Sequence, residues 1–308
     1  MSKIAFIFPG QGAQKCGMGK DFYENTETGR RIFDRASELL GFSMPELCFE
    51  ENDRLDITEY TQAAMVTTSI AMMQVLEEKG VKPDVAAGLS LGEYCALVAA
   101  GVMSADDAIA TVRQRGILMQ EAVPVGQGAM AAILALDATA IEEVTGSMDG
   151  VWIANYNCPG QIVISGEKAA VEEACERLKA AGAKRAVMLN VSGPFHSGML
   201  KTAGEKLGQV LETVAVSEPV IPYVANVNAS YVREADQVKE LLKRQVSSSV
   251  RWQQSVEKMI AAGVDTFVEI GPGRTLNGFL RKIDRQVKGY NIRTWEEMQK
   301  VCEELAQA

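Results

Sequence analysis

The chain has 308 residues, which is enough to bury a large core in one big domain or two smaller ones. Its hydrophobic fraction of 47% and charged fraction of 23% are typical of a folded globular protein. The formal net charge of −9 argues against nucleic acid as a partner, because phosphate backbones favour basic surfaces.

The sequence also argues against membrane and metal functions. No apolar run is long enough to cross a bilayer, and residues 4–8 indicate a strand rather than a signal peptide. The six cysteines form no Cys-x-x-Cys pair, which indicates reduced cytosolic thiols. A single histidine and unclustered cysteines argue against a zinc site. We therefore expect a cytoplasmic protein with no membrane anchor and no metal.

The first 126 residues have the pattern of an α/β domain. Short apolar runs predict buried strands at residues 4–8 and 85–89, and the loop 9–14 follows the first of them. Helical periodicity predicts helices over residues 29–40, 61–79, 92–100 and 104–122. We expect residues 1–126 to form the first part of a large domain.

The pattern changes after a glycine- and proline-rich break at residues 123–128. The next elements are predicted in the order strand, helix, strand, strand, helix, strand, at residues 129–136, 138–146, 151–156, 161–165, 167–181 and 184–190. This β-α-β-β-α-β order is ferredoxin-like. We expect residues 127–195 to form a small ferredoxin-like α+β domain inserted into the large one.

The remaining residues, 196–308, return to the large domain. Predicted helices and strands occupy residues 199–213, 220–225, 235–246, 252–262 and 265–269, before a loop at 271–273. The predicted fold is therefore α/β, with a large α/β-hydrolase-like domain interrupted by the small one.

Ser90 lies in the motif Gly88-Leu89-Ser90-Leu91-Gly92, between a predicted strand and a predicted helix. Gly-x-Ser-x-Gly describes a sharp strand-to-helix turn that exposes the serine hydroxyl. The helix N-terminus offers free N–H groups to a developing negative charge. The motif predicts a nucleophilic serine, and a purely structural Gly-Ser-Gly turn is the alternative.

His196 is the one histidine of the chain, so a histidine base for Ser90 can only be His196. Serine needs a base because its hydroxyl is a weak nucleophile at neutral pH. His196 follows an apolar run in a loop at a strand end, where catalytic groups commonly lie. The alternative is an ordinary surface or core histidine. Since His196 falls at the domain junction, we expect the active site in the cleft between the domains.

Arg115 interrupts the apolar face of the predicted helix 104–122. The apolar residues on that face are Ala105, Ala108, Ile109, Val112 and Met119. A buried guanidinium is costly unless it is paired, so a protein carboxylate or a bound anion should face it. Because guanidinium binds carboxylate with two hydrogen bonds, a substrate carboxylate is an attractive partner. The alternative is an arginine that reaches solvent at a domain edge.

Further motifs extend along nearly the whole chain. In chain order they are Phe8-Pro9-Gly10-Gln11-Gly12, Thr61-Gln62, residues 88–93, Arg113-Gln114-Arg115-Gly116, Asn157, residues 161–166, Pro194-Phe195-His196-Ser197, Gln245 and Glu269-Ile270-Gly271-Pro272-Gly273. Together they resemble the malonyl-CoA:acyl carrier protein transacylase family of fatty-acid synthesis. So many motifs in one order make the resemblance specific.

The resemblance implies a role for each matching residue. Ser90 would be the acylated nucleophile, His196 its base, and Arg115 the group that binds the malonyl carboxylate. The main-chain N–H groups of Gln11 and Leu91 would form the oxyanion hole.

Four other matching positions complete the implied site. The main-chain carbonyl of Gln245 would orient the histidine, in place of the aspartate of a hydrolase triad. Gln62, Asn157 and Phe195 would bind substrate. Phe195, directly before the histidine, resembles the malonyl-selective form of the motif.

The implied reaction moves malonyl from malonyl-CoA to the phosphopantetheine thiol of acyl carrier protein through malonyl-Ser90, in a ping-pong pattern. The resemblance also implies a monomer without a permanently bound cofactor. Leu89 stands where the family often has histidine, and Ala63 where it usually has proline. The alternatives are a serine thioesterase or hydrolase, a discrete acyltransferase of polyketide synthesis, and a non-catalytic acyl-binding scaffold.

The carrier proteins of this pathway are acidic, and this chain is acidic too, so a local basic patch must attract them. The densest candidate cluster consists of Arg281, Lys282, Arg285 and Lys288. Their spacing predicts that residues 281, 285 and 288 share one helical face. An ordinary solvated helix face is the alternative, and Lys184 with Arg185 is the next candidate.

Overall fold

A computed structural model describes residues 2–191 and 193–306. Four residues of the predicted domain ranges lie outside the described residues, namely Met1, residue 192, Gln307 and Ala308. The first part of the chain contains β1 (Ile4–Phe8), α1 (Lys20–Asn25), α2 (Glu27–Leu40), α3 (Met44–Phe49), α4 (Thr58–Glu78), β2 (Val85–Gly88), α5 (Gly92–Ala99) and α6 (Ala105–Glu121).

The middle of the chain contains β3 (Gly128–Leu134), α7 (Ala138–Gly146), β4 (Val151–Cys158), β5 (Gln161–Glu167), α8 (Lys168–Ala180) and β6 (Arg185–Met188). The four strands form an antiparallel sheet in the order β4-β5-β3-β6. The β-α-β-β-α-β order predicted from the sequence is confirmed. The domain boundaries at 126/127 and 195/196 stay predictions.

The last part contains α9 (Lys201–Glu212), β7 (Tyr223–Ala225), β8 (Ser230–Val232), α10 (Val238–Gln245), α11 (Trp252–Ala261), β9 (Thr266–Ile270), α12 (Thr275–Ile283), β10 (Lys288–Ile292) and α13 (Trp295–Ala306). Short 3-10 turns at Gly198–Leu200 and Ala235–Gln237 precede α9 and α10.

The large sheet has the strand order β10-β9-β1-β2-β7-β8, so strands from both ends of the chain build it. Neighbouring strands from β10 to β7 are parallel, and β8 is antiparallel to β7. The central strands β1, β2 and β9 are almost wholly buried, as expected when helices cover both faces of a parallel sheet. The predicted α/β class is confirmed. The predicted second region, in which helices accompany an antiparallel sheet, is also present.

Helices α4 and α6 pack closely on one side of the large sheet. A Cβ atom at Gly116 of α6 would lie 2.6 Å from the Cα atom of Glu59 in α4, so glycine is required at this crossing. The close approach brings the buried Gln62 of α4 against Arg115 of α6. Within the described residues, the helices are all too short or too polar to cross a membrane.

The prediction that the basic cluster shares one helical face is wrong. Helix α12 ends at Ile283, and Asp284 adopts an extended backbone. The Asp284 carboxylate accepts a hydrogen bond of 2.8 Å from the N–H of Gln286, a local turn that competes with further helix. Arg285 therefore follows the helix, and Lys288 begins strand β10.

Candidate active site

Ser90 lies at the tip of a tight turn between β2 and α5, at the carboxyl edge of the large sheet. Its φ angle of 53° is in the left-handed region, where non-glycine residues are uncommon and strain points to a functional constraint. A Cβ atom at Gly88 would lie 1.9 Å from the carbonyl carbon of Gly92, and one at Gly92 would lie 2.2 Å from the oxygen of Phe8. Both glycines are therefore required for the turn to close.

His196 meets Ser90 from the loop that follows β6. The hydroxyl oxygen of Ser90 is 2.6 Å from Nε2 of His196. Nδ1 of the same ring is 2.8 Å from the main-chain carbonyl of Gln245, which can only accept a hydrogen bond. In the neutral ring the proton is therefore on Nδ1, and Nε2 accepts the hydroxyl proton of Ser90.

Arg115 is buried beside the same hydroxyl, with 1% of its surface exposed. Its guanidinium donates to Oε1 of Gln62 at 2.8 Å, to Oε1 of Gln245 at 3.0 Å and to Oγ of Ser90 at 3.2 Å. Burial lowers the pKa of Arg115. Within the described residues Arg115 forms no ion pair, and its Nε donates to nothing. The buried Arg115 cation thus lies beside the nucleophile, and its hydrogen bonds go only to uncharged amide and hydroxyl oxygens.

Two buried residues that the sequence analysis did not assign support this arrangement. Asn226, directly after β7, accepts a hydrogen bond of 2.6 Å from the N–H of Ser90 and donates one of 2.7 Å to the carbonyl of Gly88. Glu93, in the first turn of α5, accepts one of 2.7 Å from Nε2 of Gln245 and one of 3.2 Å from the N–H of Asn226. These bonds tie the nucleophile turn to Gln245, the last residue of α10, whose carbonyl contacts His196.

Leu91 belongs to the nucleophile turn, and the loop that carries Gln11 lies against this turn. The loop carrying Gln11 follows β1, whose Phe8 carbonyl accepts the N–H of Leu89 at 3.0 Å. A Cβ atom at Gly10 would lie 2.8 Å from the carbonyl oxygen of Leu89, so the two loops touch. Within the described residues neither N–H donates to another backbone group. The oxyanion-hole role that the resemblance implies for these two N–H groups stays a prediction.

The other residues expected to bind substrate lie in different surroundings. Gln62 is in the hydrogen-bond network of Arg115 and also donates to Sδ of Met119 at 3.6 Å. Phe195 is 8% exposed and packs in the main core cluster. Asn157 is 7% exposed in β4, and no hydrogen bond joins it to Ser90 or His196 in the part of the chain described here.

His196 also lines an open pocket of about 330 Å³ beside strand β4 of the small sheet. Its other lining residues are Trp152, Ile153, Val227, Arg244, Ser247, Ser248, Ser249 and Arg251. Residues 152 and 153 belong to strand β4 of the small sheet, and the other lining residues follow it in the chain between residues 196 and 251. The interdomain cleft expected from the sequence stays a prediction. The two arginines suit an anionic ligand. Among the described residues no cluster of three or more His, Cys, Asp or Glu side chains is placed to bind a metal.

The pH dependence of acylation should reflect the burial of His196. Burial and the neighbouring Arg115 lower its pKa from 6.5 to about 4. Because only the neutral ring accepts a proton, activity is lost when pH falls through the pKa of the folded protein. We expect kcat/KM for acylation to stay near its plateau at pH 5.5 and to decline only toward pH 4, about 2.5 pH units below an ordinary histidine. The unfolded chain takes up this proton near pH 6.5, so acidification over the same interval also destabilises the fold.

Glu93 provides the control for this measurement, because burial raises its pKa to about 7. The Glu93→Gln variant removes that ionisation. The fall of kcat/KM at acid pH in this variant therefore reports the protonation of His196 alone. If kcat/KM of this variant falls to half its plateau at pH 6.5 or above, the assignment of a buried neutral histidine is wrong.

Comparison with known proteins agrees with this geometry. The acyl transferase domain family matches residues 5–299. The malonyl CoA-acyl carrier protein transacylase of Bacillus subtilis (strain 168) is 50% identical over 293 residues, which cover 94% of this chain and 92% of that protein. The crystal structure of malonyl CoA-acyl carrier protein transacylase from Clostridium perfringens superimposes with a TM-score of 0.96 at 43% identity, covering 99% of this chain and 98% of that one.

A solved complex of a type II PKS acyl-carrier protein with its malonyl-transacylase superimposes with a TM-score of 0.95 at 40% identity, covering 98% of this chain and 100% of that one. The family match at residues 5–299 and the two superpositions span the part of the chain that contains both sheets and the candidate site. The chain therefore belongs to the acyl transferase family and, within it, to the malonyl-CoA:acyl carrier protein transacylases.

Proposed function

We propose that this protein moves the malonyl group of malonyl-CoA to the phosphopantetheine thiol of acyl carrier protein and so supplies fatty-acid synthesis. The observation that carries the proposal is the buried guanidinium of Arg115, 3.2 Å from the Ser90 hydroxyl. A serine hydrolase uses the same serine and histidine but has no need for a buried cation there. The free carboxylate of a malonyl group supplies the anion that Arg115 lacks.

The first half-reaction acylates Ser90. Nε2 of His196 takes the hydroxyl proton while Oγ attacks the thioester carbonyl. The N–H groups of Gln11 and Leu91 stabilise the negative charge on the carbonyl oxygen in the tetrahedral intermediate. The C–S bond then breaks, His196 returns its proton to the departing sulfur, and malonyl-Ser90 remains.

The second half-reaction repeats these steps with a different thiol. His196 takes the proton of the phosphopantetheine thiol as its sulfur attacks the ester carbonyl. The C–O bond to Ser90 breaks, and the proton passes to Oγ, so the enzyme is restored. The carbonyl of Gln245 holds the ring in the required tautomer through both halves. Gln62, Asn157 and Phe195 shape the acyl pocket in this proposal.

Replacing Arg115 with alanine tests the proposed function. We expect Arg115→Ala to lose malonyl transfer roughly ten- to a hundredfold more than acetyl transfer, because acetyl has no carboxylate to pair. The measurement is the ratio of kcat/KM for malonyl-CoA to that for acetyl-CoA.

Arg113 is a matched control on the same helix, since its guanidinium pairs with Glu59 at 2.5 Å and lies over the ring of Tyr60. Arg113→Ala should leave the malonyl-to-acetyl ratio unchanged. Equal losses for both acyl groups in Arg115→Ala would make Arg115 structural and defeat the proposed function.

The discrete acyltransferases of polyketide synthesis are the second candidate. The likeness to a type II PKS malonyl-transacylase in complex with its carrier protein favours this candidate. The chemistry at Ser90 is the same in both pathways, so they differ only in the carrier protein that accepts the malonyl group. We further propose that the protein acts as a cytoplasmic monomer without a permanent cofactor, which its six unpaired cysteines and its family support.

We also propose that the basic cluster, Arg281, Lys282, Arg285 and Lys288, binds the acidic carrier protein. All four side chains are exposed. Three of them line a surface cavity of about 670 Å³ beside α12. None of the four forms an ion pair within the described residues, so their charge is available to a partner.

Reversing Arg281 and Arg285 to glutamate should raise KM for carrier protein and weaken its dependence on salt, because steering between charges is screened. Acylation by malonyl-CoA should change little, since the carrier takes no part in that step. Reversal of Arg30 and Arg31 on α2 makes the same change in net charge and is the control. Unaltered carrier-protein kinetics at low salt would exclude this cluster and direct attention to Lys184 and Arg185.

A further inference from the structure

A fully buried carboxyl group lies directly under the nucleophile turn. Glu93 has no exposed surface, and its Oε2 accepts Nε2 of Gln245 at 2.7 Å and the N–H of Asn226 at 3.2 Å. Its Oε1 accepts no hydrogen bond from the described residues. The Glu93 carboxylate forms no hydrogen bond with Ser90 or His196 among the described residues, and only the main-chain N–H of Glu93 reaches Ser90, by donating to its carbonyl at 3.1 Å. Any effect of the carboxylate on the reaction therefore passes through Gln245 and Asn226.

The side-chain amide of Gln245 is held in one of its two orientations. Its Nε2 donates to Glu93 and, at 2.8 Å, to the carbonyl of Ser90, while its Oε1 accepts from Arg115 at 3.0 Å. The flipped amide would set its NH₂ group against the guanidinium and its oxygen against the carboxylate. Both contacts would be repulsive, because a donor would meet a donor and an acceptor an acceptor.

The orientation of the Gln245 amide determines the orientation of the Arg115 guanidinium. One NH₂ group of Arg115 points at both Oε1 of Gln245 and Oγ of Ser90, and the other points at Gln62. With the amide oxygen fixed, the guanidinium plane is fixed relative to the acylated oxygen. An acyl carboxylate then meets a guanidinium that is already oriented.

We propose that Glu93 is a positioning residue that sets malonyl selectivity by fixing the Gln245 amide and, through it, the guanidinium of Arg115. This inference rests on the proposed function, because it assigns Arg115 to the acyl carboxylate. Burial raises the pKa of Glu93 to about 7, so the group is only partly ionised at neutral pH and is not a full counter-charge for Arg115.

Two variants separate hydrogen-bond acceptance from charge. Glu93→Ala removes the acceptor and frees the amide to rotate, and we expect it to lower the malonyl-to-acetyl ratio of kcat/KM on the order of tenfold. Glu93→Gln keeps an oxygen for Gln245 and Asn226, and its NH₂ replaces the oxygen that accepts nothing. We expect Glu93→Gln to retain the wild-type ratio, with melting temperatures recorded for both variants.

A double-mutant cycle shows whether the effect passes through the guanidinium. In an Arg115→Ala background, Glu93→Ala should no longer change the malonyl-to-acetyl ratio. The inference is overturned if Glu93→Ala lowers malonyl and acetyl transfer equally, or if Glu93→Gln lowers the malonyl-to-acetyl ratio as much as Glu93→Ala does. It is also overturned if Glu93→Ala and Arg115→Ala change that ratio independently of each other. The proposed function fails separately, when the wild-type protein itself shows no preference for malonyl over acetyl.

Discussion

Ser90→Ala should take up no acyl group from malonyl-CoA, because the residue that forms the ester bond is gone. We expect CoA release to fall at least on the order of 10³-fold, to what the oxyanion hole and binding alone support. Rapid-quench measurement of the first equivalent of CoA provides the readout. The comparison with wild type requires equal melting temperatures, since alanine at a φ angle of 53° is strained.

Ser255→Ala is the control for this substitution. Its hydroxyl donates to the carbonyl of Arg251, directly before α11, and forms no hydrogen bond with Ser90, His196 or Arg115 among the described residues. This variant should release CoA as the wild-type protein does. A burst of CoA from Ser90→Ala at the wild-type rate would show that another residue is acylated.

His196→Ala should slow both half-reactions, because a single ring serves as base in each. Loss of a general base costs on the order of 10²–10⁴-fold. Acylation is followed by CoA release in a single turnover, and transfer by the decay of malonyl-enzyme after a pantetheine thiol is added. His196→Gln, which keeps a polar group in the same space, should be nearly as slow, since an amide does not accept the proton. If only one half-reaction slows, a second base must exist.

The residues with the clearest chemistry could be predicted from the sequence. Ser90 is flanked by two glycines that the turn requires, and the chain offers one histidine to activate it. Arg115 interrupts an apolar helical face, which is consistent with a buried guanidinium or with one that reaches solvent at a domain edge, and the structure shows the first, with 1% of the residue exposed. In each case a local pattern, such as a turn or a helical period, determines the structural environment.

The supporting network could not be predicted in the same way. Asn226 lies 136 residues from Ser90 in the chain, and the pairing of β2 with β7 brings them together. That contact can be predicted only when the strand order of the sheet is known. Glu93 did carry a local signal, since it is a charged residue in the otherwise apolar helix α5. As with Arg115, a charge among apolar helix residues indicates a buried group that needs a partner.

The end of helix α12 was missed for a different reason. Charge spacing alone suggested that the helix continues from Arg281 to Lys288, whereas the side chain of Asp284 forms its own turn and ends the helix. Strand β10 then pairs with β9, a contact that the periodicity of residues 281–288 does not encode. The basic cluster thus spans a helix end, a turn and an edge strand.

The central claim is that malonyl-CoA leaves a covalent malonyl ester on Ser90. Mass spectrometry of the protein after brief incubation with malonyl-CoA tests this claim directly, with peptide mapping to identify the residue. We expect one malonyl group per chain, on the peptide that contains Ser90, removed when a pantetheine thiol is added and absent in Ser90→Ala. A malonyl group on a different residue, or an unmodified protein that nevertheless transfers malonyl, would contradict the account.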